Sequence, residues 1–113
     1  MGRLFIQYYD KTTAHRCTTC GTHITAKQLV NWIGVMGQRQ PAKNYGDCIN
    51  VDFSSDFEQT LSSGTYTLRS VYCRVCRNYL GWKYVASGTG DPGNKEKEGT
   101  YMLLDDNLEP IEV

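Results

Sequence analysis

The sequence predicts one small domain that is mainly β. Its 113 residues leave room for a single hydrophobic core. Several short segments alternate apolar and polar residues, which is the period of a half-buried strand. Tyrosine is the dominant aromatic residue, with eight copies beside three phenylalanines, and it suits strands that have one face in the core and the other in water.

Five segments are predicted to be strands. Cys48–Phe53 has the cleanest alternation, with Ile49, Val51 and Phe53 on one face. Tyr66–Tyr72 repeats the pattern less cleanly. The remaining predicted strands are Leu4–Tyr9, Tyr79–Val85 and Thr100–Leu104.

The segments between these strands are less regular. Lys11–Ala14 is predicted to be a polar turn, and Ala26–Ile33 is compatible with either a short helix or a buried strand. Gln38–Gly46 and Ser87–Gly99 are predicted to be loops, and the four glycines of the second predict a mobile one. The sequence predicts a folded domain over residues 1–104 and an acidic, loosely ordered tail over 105–113.

Two C-x-x-C pairs are the strongest chemical signal: Cys17 with Cys20, and Cys73 with Cys76. Their surroundings are similar, which indicates two equivalent turns facing each other across one ion. Four thiolates in a tetrahedron suit a structural Zn²⁺ and leave no coordination position for water or substrate. The predicted cofactor is therefore one structural zinc ion, with iron or plain buried thiols as alternatives. Three neighbouring arginines are expected to offset the charge of the thiolates: Arg16, Arg74 and Arg77.

Composition limits the expected partners. The formal net charge is zero, so the chain lacks the broad positive field that non-specific nucleic-acid binding requires. No apolar run is long enough to span a bilayer, and residues 1–10 lack the apolar core of a signal peptide. Nucleic acid and membrane are therefore not expected as partners. Five cysteines in a chain expected to start in a reducing cytosol favour metal binding over disulfides.

Several motifs around the cysteines match a known family. The second pair lies in Y-C-R-V-C-R-N-Y-L-G-W-K-Y, which starts at Tyr72, and K-E-G-T-Y follows from Lys97. With the first pair and the C-I-N-V segment from Cys48, these motifs resemble the Yippee family over nearly the whole chain. The resemblance implies a β-tent, in which two antiparallel sheets set at an angle are pinned by zinc. It also implies a location in the nucleus and cytoplasm.

The sequence departs from the family pattern in three places, one of which is a loop between Tyr84 and Lys97 that is longer than usual. Gln38–Asp47 replaces a glycine-rich stretch, and Leu104 stands where the family usually has glutamate. These departures concern the middle surface and the C-terminal edge of the domain rather than its fold.

The resemblance implies three functional interpretations, of which we favour a module that binds a protein partner or a second copy of itself. Its candidate surfaces are the two loops and any exposed sheet edge. The second interpretation is a cereblon-like ligand pocket around Trp82, but the other two tryptophan positions of that pocket fall on Leu68 and Ser62, which leaves a shallower groove with Tyr66.

The third interpretation is an enzyme similar to the methionine sulfoxide reductases, with Cys48 as its nucleophile. Those enzymes use a cysteine within C-I-N-S, and Cys48 begins the sequence C-I-N-V. In those enzymes this segment follows the second C-x-x-C pair, whereas here it precedes that pair. We therefore expect no enzymatic activity.

Overall fold

The structure is a computed structural model that describes residues 13–36, 40–61, 64–88 and 96–112. In these ranges the chain forms short strands and two 3₁₀ turns. The strands are β1 (Thr13–Cys17), β2 (His23–Ala26), β3 (Val30–Met36), β4 (Gln40–Tyr45), β5 (Val51–Phe53), β6 (Phe57–Leu61), β7 (Gly64–Cys73), β8 (Tyr79–Ser87), β9 (Tyr101–Leu104) and β10 (Leu108–Glu112), and the turns are Lys27–Leu29 and Asp105–Asn107. The strand predicted over Leu4–Tyr9 lies outside the described residues.

The strands form two antiparallel sheets. The smaller sheet has the order β10-β1-β2, and the larger one has the order β3-β4-β9-β8-β7-β5, with β6 also paired to β7. This architecture confirms the predicted fold class. Among the described residues, no helix has the length and apolar character needed to cross a membrane.

Both faces of the larger sheet carry buried side chains. The first core cluster lies between the sheets, and the second contains residues of the larger sheet alone. β9 shows the division: Tyr101 and Leu103 belong to the first cluster, and Met102 and Leu104 belong to the second. Because successive side chains of a strand point to opposite faces, β9 is apolar throughout.

A bulge in β8 moves the buried side chains from one face to the other. Val71 pairs with Gly81 and Tyr72 pairs with Tyr79, so Leu80 has no position opposite it. Gly81 has φ +154, and a Cβ built there would lie 2.0 Å from the carbonyl oxygen of Met102. Only glycine therefore allows β9 to approach β8 at this point.

The prediction of a regular strand over Cys48–Phe53 is wrong for its first half. Only Val51–Phe53 forms the strand β5, because Asn50 adopts a left-handed conformation with φ +59. The Asn50 side-chain amide donates a hydrogen bond of 2.8 Å to the backbone oxygen of His23. This contact holds the chain out of the extended conformation and ties the two sheets together.

The prediction of a loop over Gln38–Gly46 is also wrong, since Gln40–Tyr45 forms strand β4 in the larger sheet. Asn44 of this strand is buried, and both the nitrogen and the oxygen of its side-chain amide are hydrogen-bonded. The side-chain amide of Asn44 donates to the Thr100 hydroxyl at 2.9 Å, and its side-chain oxygen accepts from Asn31 at 2.9 Å. A buried polar side chain with such partners is compatible with a central strand. The polar sequence of β4 is nevertheless typical of a loop.

Two predicted irregular segments contain strands. β1 begins at Thr13, inside the turn predicted over Lys11–Ala14, and Ala26–Ile33 includes a 3₁₀ turn that leads into β3. The second segment is therefore neither the short helix nor the buried strand of the prediction, because β3 is an edge strand on which Ile33 is 72% exposed.

The tail predicted to be loosely ordered over 105–113 is instead part of the fold over its described length. β10 pairs with β1 from Thr13↔Glu112 to Cys17↔Leu108. Leu108 is buried in the first core cluster, and this burial holds the strand in place despite its acidic neighbours.

The predicted mobile loop over Ser87–Gly99 is anchored at its described ends. The Glu98 carboxylate accepts hydrogen bonds from the backbone N–H and the hydroxyl of Ser87, at 2.7 and 3.1 Å. The Lys97 ammonium donates to the Tyr66 hydroxyl at 3.1 Å. Residues 89–95 lie outside the described part of the chain.

Candidate metal centre

The two C-x-x-C turns have the same backbone geometry. In the first turn the Cys17 N–H donates to the Thr22 oxygen and the Gly21 N–H donates to the Cys17 oxygen. The second turn repeats both bonds from Cys73 to Asn78 and from Arg77 to Cys73. The fifth residue of each turn is left-handed: Gly21 has φ +79 and Arg77 has φ +67. The internal similarity seen in the sequence is therefore a structural repeat.

These turns bring the four predicted ligands together. The sulfur atoms of Cys17, Cys20, Cys73 and Cys76 all lie within 4.8 Å of one another. The Cys17–Cys76 and Cys20–Cys73 sulfur pairs are 3.6 and 3.5 Å apart. A tetrahedral Zn²⁺ with sulfur ligands at about 2.3 Å requires sulfur–sulfur distances of about 3.8 Å. The cluster therefore fits a metal ion of this size.

Without a cation, these thiols would not all ionise. Burial raises the pKa of Cys73, and it raises the pKa of Cys76 to about 12. Burial acts in the same direction on Cys20, but hydrogen bonds from Thr22, with further ones from Cys73 and Cys76, outweigh it and bring its pKa to about 7. A bound divalent cation offsets the charge of the four thiolates and makes the fully deprotonated cluster stable.

The three arginines beside the ligands do not contact the sulfurs, contrary to expectation. Arg16 pairs with Glu109, and Arg74 and Arg77 both pair with Asp52. The competing carboxylates lie on neighbouring strands, which the sequence alone does not reveal.

Neutral donors contact the sulfurs instead. The Asn78 side-chain amide lies 3.9 Å from the Cys17 sulfur, and the Thr22 hydroxyl lies 3.1 Å from the Cys20 sulfur. Both residues stand two positions after the second cysteine of their turn, which is the signal that could have identified them.

Comparison with known proteins decides the family. No family model matches the chain. It is 31% identical over 103 residues to a yippee-like protein of Schizosaccharomyces pombe, a match that covers 91% of this chain and 76% of that protein. The chain belongs to the Yippee family. The protein yippee of Drosophila melanogaster is 27% identical over 103 residues and is covered to 84% of its length.

A solved structure supports the Yippee fold. The crystal structure of a Mis18 "Yippee-like" domain superposes with a TM-score of 0.63, covering 90% of this chain and 97% of that domain at 10% identity. This similarity concerns the fold. Yippee membership and the four-sulfur cluster together fit a zinc-binding module.

The ligand groove predicted around Trp82 is occupied by packed side chains in this Yippee protein. Tyr66 and Leu68 are fully buried, and Trp82 packs against the second core cluster with them. The structure thus brings the three predicted residues together, but as a core. Cavities of about 560 and 290 Å³ lie elsewhere and are lined by other side chains.

Cys48 is a buried thiol that packs in the first core cluster. Burial raises its pKa well above the usual value, and the neighbouring Asp47 carboxylate raises it further. The thiolate is the nucleophilic form of cysteine, so this environment does not activate Cys48 at neutral pH.

Proposed function

We propose that this Yippee protein is a zinc-stabilised module that binds an extended segment of a protein partner along strand β3. The metal holds the two sheets together, and β3 provides the binding edge. The exposed apolar side chains of β3 are the observation that carries the proposal.

The position of the cysteines supports a structural role for zinc. Cys17 ends β1 in the smaller sheet, and Cys73 ends β7 in the larger sheet. One ion on these turns links the two sheets directly. With four protein ligands the ion has no free position for substrate, so its binding free energy contributes to folding.

β3 is an edge strand with exposed apolar side chains. It lies at one end of the strand order of the larger sheet, and in the described part of the chain no strand pairs with its outer side. Ile33 is 72% exposed and Val35 is 64% exposed. An edge strand offers alternate backbone N–H and C=O groups, and natural proteins usually protect such edges with charged residues or proline. An unprotected apolar edge favours strand addition.

Two other edges of the described sheets carry the protective features that β3 lacks. β10 has Glu109, Pro110 and Glu112 within five residues, and β6 is mostly polar, with Glu58, Gln59 and Thr60. The edge strand β2 of the smaller sheet has no proline, lysine or carboxylate, but its side chains are buried. β3 therefore differs from these edges because it presents exposed apolar side chains without such protection.

Charge predicts the composition of the partner segment. Lys27 lies three residues before β3, and the Lys97 ammonium lies 5.9 Å from the centre of the Trp32 ring. A segment with alternating apolar side chains and flanking acidic residues complements this edge.

The test compares two substitutions on exposed strand positions. Val35→Lys places a charge on the β3 edge, and Gln59→Lys places the same charge on β6 as the matched control. Affinity capture from native extract is carried out with wild type and both variants. It selects the partners that wild type and Gln59→Lys bind and that Val35→Lys does not. Binding of such a purified partner is then measured, and hydrogen exchange should show new protection in β3.

A partner that binds Val35→Lys as well as wild type contradicts the proposal, and so does the absence of any partner that distinguishes the two variants. Sedimentation of the purified protein at several concentrations tests the alternative occupant, a second copy paired through β3. The nucleus and cytoplasm remain the expected location, and nucleic acid remains an unexpected partner.

A further inference from the structure

A groove of about 560 Å³ opens between the two sheets, at the end of β1 that is farther from the cysteines. One wall comes from β1 and β10, and the opposite wall comes from β3 and β4. The metal turns close one end of the space between the sheets, while the other end is incompletely filled. Its lining residues are Thr13, His15, Lys27, Val30, Ile33, Lys43, Tyr45, Asp105, Leu108 and Pro110.

Apolar side chains form most of the groove. Val30 and Ile33 both line it, although they are three residues apart, because the register of β3 shifts at Asn31. Leu108 and Pro110 line the other side from β10. The volume lies within the range of small-molecule sites, about 300–1,000 Å³.

Polar groups meet at the floor and the rim of the groove. At the floor, His15 Nδ1 and the Tyr45 hydroxyl are hydrogen-bonded to each other at 2.7 Å. At the rim, Lys43 pairs with Asp105 at 2.9 Å. Lys27 is exposed and has no carboxylate partner within the described residues. The charged residues of the lining, two lysines and one aspartate, leave one uncompensated positive charge.

We propose that this groove binds a small amphiphilic monocarboxylate. Its apolar body lies between β3 and β10, and its carboxylate pairs with Lys27. One anionic group balances the single uncompensated charge, and the apolar walls exclude a ligand that is polar throughout. This site is separate from the Trp82 cluster. It shares Ile33 and Lys27 with the proposed binding edge of β3, whereas Val35 belongs to the edge alone.

Three probes of equal chain length test the charge preference: decanoate, decanol and decyltrimethylammonium. Titrations of the zinc-loaded protein are followed by amide chemical shifts. Decanoate should bind saturably with shifts centred on Ile33 and Leu108, and it should bind more tightly than the other two. Equal binding of all three probes, or shifts centred outside the groove, would overturn the proposal.

Two variants test the assigned contacts. Lys27→Gln should weaken decanoate binding about threefold, the effect of losing an ion pair at an exposed lysine, and should leave decanol binding unchanged. Arg69→Gln, on β7 outside the groove, is the matched control and should bind like wild type. Ile33→Glu places a negative charge at the exposed mouth and should remove decanoate binding without loss of fold, since Ile33 is 72% exposed.

Val35→Lys separates this inference from the proposed function, because Val35 does not line the groove. Decanoate should bind this variant normally even though it loses the protein partner. If Lys27→Gln does not weaken decanoate binding, the groove proposal fails and the role of the β3 edge is unaffected.

Discussion

At the scale of single residues, the two metal turns use the same backbone conformation with different amino acids. The first turn has Gly21 at its left-handed position, and the second has Arg77 there. A side chain in this region costs roughly 1 kcal/mol or more because its Cβ crowds the following carbonyl. The second turn therefore carries a strain that the first avoids.

This difference predicts the effect of Gly21→Ala. The added Cβ would meet nothing within 4 Å, so the cost comes from the backbone alone and should be about 1 kcal/mol of unfolding free energy. Denaturant unfolding of the zinc-loaded protein measures it. Arg77→Gly is the comparison and should change stability little, since relief of strain offsets the loss of the exposed ion pair with Asp52. A loss of equal size in both variants would contradict this account.

At the scale of elements, the sequence predicts the strands that are rich in apolar residues and misses those fixed by distant contacts. The strands predicted over Tyr66–Tyr72, Tyr79–Val85 and Thr100–Leu104 are confirmed as β7, β8 and β9. β4 is missed because Asn44 takes its partners from other strands, and β10 is missed because its burial depends on Leu108 alone. Local patterns do not contain these contacts.

The contact between β8 and β9 depends on Gly81. In Gly81→Ala the new Cβ would lie 2.0 Å from the Met102 carbonyl oxygen and 2.9 Å from the Leu103 Cα. Both neighbours are backbone atoms of a buried strand, so relief requires β9 to move. We expect a loss of at least about 3 kcal/mol in thermal or denaturant unfolding.

Gly46→Ala is the matched control for this substitution. Its Cβ would meet neighbours only at 3.7 Å or more, which is ordinary packing distance, and stability should change by less than about 0.5 kcal/mol. Comparable stability of the two variants would show that β8 and β9 are not held this closely.

β10 gives a second prediction at this scale. Leu108→Ala removes a buried side chain of the core between the sheets and should cost about 2–4 kcal/mol. Glu112→Ala, on an exposed position of the same strand, should cost less than about 0.5 kcal/mol. If Leu108→Ala were as stable as wild type, the C-terminal segment would be the loose tail that its acidic sequence predicts.

At the scale of the whole molecule, the four-sulfur cluster is predictable from the sequence and the proposed binding surfaces are not. Each C-x-x-C pair fixes its own turn, so the spacing alone identifies the four sulfurs. The apolar edge of β3 and the groove beside it arise from how the two sheets are arranged. Ile33 and Leu108 line one groove, yet they lie 75 positions apart in the sequence, and no local pattern links them.

The dependence of the fold on the metal is the prediction that belongs to the complete molecule. Cys73→Ser removes one of four ligands at the junction of the two sheets and should abolish stoichiometric zinc, with loss of the near-ultraviolet dichroism of the packed tyrosines. Cys48→Ser is the matched control, because Cys48 is the one cysteine outside the sulfur cluster. Elemental analysis should find one zinc per chain in wild type and in Cys48→Ser.

Cys48→Ser is expected to lose about 1–2 kcal/mol of unfolding free energy, because it buries a hydroxyl among apolar neighbours. A strong chelator should unfold both zinc-loaded proteins, since the binding free energy of the ion is part of their folding free energy. If Cys73→Ser kept its metal, or if chelation left the tertiary dichroism of wild type intact, the sheets would be held by their apolar core alone. The sulfur cluster would then have to act in some way other than as a structural clamp.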